Sequence, residues 1–258
     1  MKYFIVIFTA SIFCLSSCGG DGNSGTDVNG KSSSKFSKRI DLPINTCDFI
    51  TKEMVLSHFD VKTGELDLKD NNDKKSSTYS RCGYQWKKSN YEEIQKKKFE
   101  IIRNYSSAGK KADGGNEKKA GLSDLMNLES PNSKLLIGDF KDFENNEEAS
   151  KAFKRSHHVP SKEDVKKLHK EIDKKGEEEG LDEESKELGK NLTGSIASNL
   201  KFTEINGVGD EAYYDHLDKS LDVRFGTLTF SVYIDSENDF KTNMEIAKKI
   251  AKEVWEKL

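Results

Sequence analysis

The sequence predicts an α+β fold: an antiparallel sheet of meanders with helices packed on one face, plus a charged helical insert. Three observations lead there. Residues 221–225 and 228–234 alternate apolar and polar side chains on either side of Gly226-Thr227, the pattern of a β-hairpin. The C-terminal stretch then sets Phe240, Met244, Ala247, Ile250, Ala251, Val254 and Leu258 on one helical face. Between Pro160 and Leu200 lie two Lys/Glu-rich segments with helix caps and thin apolar stripes.

Order begins near Ile40. Thr51 reads as the N-cap of a short helix ending at Phe59, with Met54, Val55 and Phe59 inward. Residues 61–77 read as a polar loop. Residues 79–87 read as a strand in which Tyr84 and Trp86 alternate with Gln85, and Cys82 shares their parity. Ser89-Asn90 marks a turn, and residues 94–105 read as a longer strand. After a Gly/Lys/Asn/Ala loop over 106–119, Leu122, Leu125, Met126 and Leu128 suggest a short apolar turn of helix.

A strand over 134–140 follows, and then a helix from about Asn146 to His157 carrying Ala149 and Phe153. Ser161 with Asp164 forms a capping-box pattern. The helix it opens carries Val165, Leu168 and Ile172, and Gly176 is expected to stop it. Asp182 caps a second helix, where Leu188, Leu192, Ile196 and Leu200 recur every fourth residue. Gly189 and Gly194 weaken that helix by about 1 kcal/mol each relative to alanine. Residues 207–210 form a turn into a strand through Ala212, Tyr213 and Tyr214, and Asp239 caps the last helix.

The chain of 258 residues is 34% charged and 34% hydrophobic, so part of it must be loop or solvated helix rather than core. A net charge of −3 offers no basic excess for nucleic acid. With 3 prolines there is no proline-rich stalk.

The N-terminus carries an address. After Lys2, residues 3–15 are nearly all apolar or small, a length that suits the core of a secretory signal and falls short of the roughly 20 residues of a membrane span. Leu15-Ser16-Ser17-Cys18 closes the run. These four residues resemble the lipobox of bacterial lipoproteins. The resemblance implies removal of residues 1–17, diacylglycerol in thioether linkage to the Cys18 sulfur, and usually acylation of the new amino group. Two or three acyl chains anchor stably where one does not. Residues 18–39, rich in Gly, Ser, Asn and Lys, then form a lipidated flexible tether, and 40–258 a single domain with the insert at about 160–200. The expected location is outside the cytoplasm, on the outer membrane if the cell has one.

Cys14 leaves with the signal and Cys18 carries lipid. Cys47 and Cys82 remain, an even pair in an oxidising compartment, which makes a disulfide the default. The alternative is a two-cysteine metal site, but Cys-x-x-Cys spacing is lacking and His58 is the one nearby histidine.

Cys47-Asp48-Phe49-Ile50-Thr51, Cys82-Gly83-Tyr84, residues 207–213 and residues 221–230 together resemble a group of envelope lipoproteins of unknown function with α+β folds of the Mog1/PsbP-like kind. The resemblance implies one helix-to-strand disulfide and a strand-strand-helix ending. It carries no catalytic residues, and the long Lys/Glu insert departs from it.

Catalytic signatures are missing. No Gly-x-Ser-x-Gly elbow exists, and the Gly207-Val208-Gly209 turn lacks the helix that a phosphate cradle needs. Asp210, Glu211 and Asp215 lack the spacing of a calcium loop and read as a turn entering a strand. His157, His158 and His169 read as solvated surface, because adjacent helical residues diverge and Pro160 interrupts the path. Tyr84, Trp86, Tyr213 and Tyr233, with Tyr79 and Tyr214, read as the core packing of a thin sheet or, as the alternative, an aromatic ligand face. The expected role is a non-catalytic envelope module without cofactor, meeting a protein, lipid or glycan. The alternatives are an extracytoplasmic enzyme with an unfamiliar site, or a surface antigen with no specific ligand.

Overall fold

The computed structural model describes Leu42 and residues 44–71, 80–108 and 129–258. The signal segment, the tether, Tyr79 and the apolar turn at Leu122 lie outside the described residues.

Strands β1 (Asp67–Asn71), β2 (Arg81–Lys87), β3 (Asn132–Asp142), β4 (Phe202–Glu204), β5 (Glu211–Asp215), β6 (Ser220–Phe225) and β7 (Leu228–Asp235) form one sheet. Its order is β1-β2-β3-β7-β6-β5-β4, and every pairing is antiparallel. The α+β class with an antiparallel sheet is therefore the observed one. β7 sits in the middle, and all its residues are buried. Its hairpin with β6 turns at Gly226, whose φ of 65° suits glycine.

Period 2 divides the sheet into two chemistries. One register row runs Cys82, Ile137, Val232, Leu221, Tyr214 across β2, β3, β7, β6 and β5. This face holds the core. It is covered by α1 (Lys52–His58), capped by Thr51 as expected, and by α6 (Phe240–Lys257), capped by Asp239. Met244, Ala247, Ile250, Ala251 and Val254 of α6 are buried there. Phe240, read as part of that stripe, instead lies half-exposed and stacks on His216.

A disulfide joins Cys47, in a short 3-10 turn before α1, to Cys82 of β2, with Cα atoms 5.1 Å apart. Cys82 is fully buried, on the face that carries Tyr84 and Trp86. Asp70 lies near both sulfurs, but these are bonded to each other, so no thiolate remains for a metal.

Several expectations are corrected. Residues 94–105 are not a strand: they lie inside α2 (Tyr91–Ala108). The segment is rich in Glu, Gln and Lys, good helix formers, and Glu93 pairs with Lys97 one turn on at 2.8 Å. Its Phe99 is 72% exposed, so the alternation read there serves no core. The polar loop over 61–77 contains β1, an edge strand whose polar side chains keep that edge solvated.

Helices α3 (Asn146–Ser156), α4 (Lys162–Glu178) and α5 (Glu183–Asn199) follow β3. The Ser161–Asp164 capping box is present. Gly176 does not stop α4, which runs on to Glu178 and turns at Gly180 with φ 70°. A side chain at Gly176 would collide with the Lys186 stem, so this glycine lets the two helices approach closely. Gly189 and Gly194 of α5 likewise face Ile172 and His169 of α4. That rotation leaves Leu188, Leu192 and Ile196 exposed, so the stripe read on α5 is not its buried face.

Among the described residues, no helix is long and apolar enough to cross a membrane.

Candidate functional site

The second face of the sheet is polar. Its central row runs Arg81, Gly138, Ser231, Asp222, Tyr213 across β2, β3, β7, β6 and β5. Flanking rows carry Lys141, Thr229, Arg224 and Glu211 on one side, and Tyr233, Ser220, Asp215 and Phe202 on the other. Helix α3 lies against this face at β5 and β6, where Ser150 donates to Glu211 and Phe153 meets Tyr213. Beyond the end of α3 the face opens into a cavity of about 230 Å³.

Two polar pairs frame the cavity. The first follows from a bulge in β3. Gly138 pairs with Ser231 and Lys141 with Thr229, so Asp139 is the extra residue. It takes a φ of 58°, a region that aspartate tolerates better than most side chains. The bulge turns its carboxylate onto the polar face. Arg81 grips that carboxylate through Nη2 at 2.7 Å and Nε at 3.0 Å. The Tyr233 hydroxyl donates to the same group, and the Arg81 guanidinium lies 4.2 Å from the Tyr233 ring centroid. Burial, then the Asp139 carboxylate, push the Tyr233 phenol far above its ordinary range, so it stays a donor.

The second pair is His157 with Asp222. His157 is the C-cap of α3, and its side chain is 5% exposed. Its ring stacks on Tyr213 at 4.8 Å and meets Phe153 and Phe202 edgewise or tilted. Nδ1 lies 2.6 Å from the Phe153 carbonyl oxygen and Nε2 lies 2.8 Å from Asp222 Oδ2. Both neighbours are acceptors, so the geometry is satisfied when both ring nitrogens donate.

His157 therefore corrects the reading of solvated surface, which holds only for His158. Ala149, Phe153 and His157 recur every fourth residue, a signal in the sequence that this histidine shares the inner face of α3. The four candidate aromatics do not form one ligand face. Tyr84 and Trp86 are buried in the core, where Trp86 packs on Phe59, while Tyr213 and Tyr233 belong to the polar face. Neighbours in the β3–β7 ladder alternate, so Tyr233 opposes Leu136 while Ile234 opposes Leu135. Sequence reasoning missed Arg81, Asp139, Lys141 and Asp222, which only the strand order brings together.

Of the acidic trio, Asp210 accepts from the Gly226 amide at 2.7 Å and closes the hairpin turn. Glu211 binds Arg224, Ser150 and Lys154. Asp215 differs. Its Oδ1 accepts from the amides of Leu217 and Asp218, and it has no cationic partner among the described residues. Burial, with Asp218 and Asp222 nearby, raises its carboxyl above the ordinary range.

No protein-family model, curated protein or solved structure matches the chain.

Proposed function

We propose that this protein is a lipid-anchored lipoprotein of the cell envelope that works as a binding module, holding a small polar ligand on the open part of its polar sheet face. The observation that carries the binding half is the commitment of His157. The one histidine lining the cavity has both nitrogens within 2.8 Å of protein acceptors, leaving neither for a substrate proton. Thr229 and Ser231, paired through their backbone in the ladders, meanwhile line the cavity with hydroxyls that have no side-chain partner among the described residues. Fixed charges, open hydroxyls and aromatic walls suit recognition. At about 230 Å³ the cavity is smaller than a drug-sized site, so the ligand is small.

The anchoring half rests on Leu15-Ser16-Ser17-Cys18 and is supported by the Cys47–Cys82 disulfide, a bond at home in oxidising compartments. Membrane fractionation of cells carrying Cys18→Ala tests it. The variant is expected in soluble or unprocessed fractions. Unchanged, lipid-labelled membrane association would refute the anchor.

A further inference from the structure

We infer that the cavity takes a short zwitterionic peptide, of about three residues, laid diagonally across β7 with its carboxylate toward Lys141 and its ammonium toward Asp215. This rests on the binding reading above and names the ligand class.

The charges in the cavity wall decide the matter. Arg81 is matched by Asp139, and Asp222 is hydrogen-bonded to His157 Nε2. Two groups are left over. Lys141, on β3, is exposed and has no carboxylate partner among the described residues. Asp215, on β5, has no cationic one. They line opposite ends of the same cavity, so the residual field is positive at one end and negative at the other.

The strand order sets their separation. β7 and β6 lie between β3 and β5, which makes three strand spacings, or roughly 14 Å. The two register rows cross β7 at Thr229 and Tyr233, four residues or roughly 13 Å apart along the strand, so the two backbone positions lie roughly 20 Å apart. The long Lys141 stem reaches into part of that gap. Extended chain advances about 3.3–3.6 Å per residue, so about three residues, with a contact at each end, span what remains. The Thr229 and Ser231 hydroxyls stand midway, on β7, where they can pair with the peptide groups of such a ligand. A simple anion would leave Asp215 unmatched, a metal cation would leave Lys141 unmatched, and a neutral sugar would leave both.

Calorimetric titration of the purified full-length chain in detergent with trialanine tests the proposal. The comparison probes are N-acetyl-trialanine, trialanine amide, acetate and glucose. Saturable binding of trialanine is expected, with each capped peptide weaker on the order of tenfold, the worth of one charge-assisted contact. Lys141→Gln should abolish the difference between trialanine and its amide. Asp215→Asn should abolish the difference between trialanine and its acetylated form. Equal binding of free and capped peptides by the native chain would overturn the proposal. So would acetate or glucose binding in place of trialanine, although the binding reading would then stand. If no probe binds, the peptide assignment fails, while the anchor is judged by fractionation alone.

Discussion

Removing the Cys47–Cys82 disulfide should destabilise the domain more than any ordinary surface change. The two cysteines are 35 residues apart in sequence, and closing a loop of that length is worth about 4 kcal/mol in the chain-entropy treatment. Cys82 is fully buried beside the α1 junction, so replacing it by alanine also removes core contacts worth about 1 kcal/mol. The Cys47→Ala/Cys82→Ala double variant should therefore lose about 4–5 kcal/mol. With a urea slope of about 2 kcal/mol per molar, the midpoint falls by about 2 M. Tryptophan fluorescence is a suitable probe, because Trp86 lies four residues along β2 from Cys82, on the same face, and packs on Phe59 at 4.9 Å. Reduction of the native protein separates the cross-link from the packing: it should give most of the shift without the alanine contribution. A reduced protein whose midpoint stays within about 0.5 M of the oxidised one would refute the reasoning.

Three further outcomes follow from the site and the sheet. Gly83→Ala would drive a Cβ into the Leu135 carbonyl on the neighbouring strand, so thermal melting should show a loss of about 3 kcal/mol, at the upper end for overpacking. Glu211 is held below its ordinary 4.5: burial alone would raise it, but Ser150, Lys154 and Arg224 outweigh that. Its contribution is thus full above its ordinary value and is lost as pH falls through the lower folded-state value. Glu211→Gln should be less stable than the native chain at neutral pH, and urea titrations should show the gap closing in acid. Asp215 has the opposite sign, since burial raises its carboxyl and the ionised form opposes folding. Asp215→Asn keeps an oxygen for the Leu217 and Asp218 amides, so it should stabilise the neutral-pH protein in the same assay while weakening trialanine binding.

Legibility in the sequence tracks how local each cause is. The β6–β7 hairpin and α6 were readable because periods of 2 and 3.6 coincide there with a Gly turn and an Asp cap. The caps at Thr51, Ser161, Asp182 and Asp239 were readable for the same reason, since each acts within three residues. α2 was misread because its apolar residues mark no consistent core face: Ile94 is buried while Phe99 and Ile102 are exposed. Composition, not pattern, identifies that helix.

The polar face was barely readable. Asp222 lies 65 residues from His157, and Asp139 lies 58 from Arg81. The pairing of β2 with β3 joins the second of those pairs and the packing of α3 on β6 joins the first, and no window along the chain contains either. The bulge at Asp139 has no marker except Gly138 before it. Glycines in α4 and α5 misled in a related way, because their partners are on the other helix of the hairpin.

Intact-mass analysis of the protein extracted from native membranes tests the lipid-anchored, disulfide-closed state most directly. The expected species spans residues 18–258, carries diacylglycerol on Cys18, and gains two alkyl groups at Cys47 and Cys82 only after reduction. A chain that begins at Met1, bears no acyl groups and alkylates at both later cysteines without reductant would contradict it.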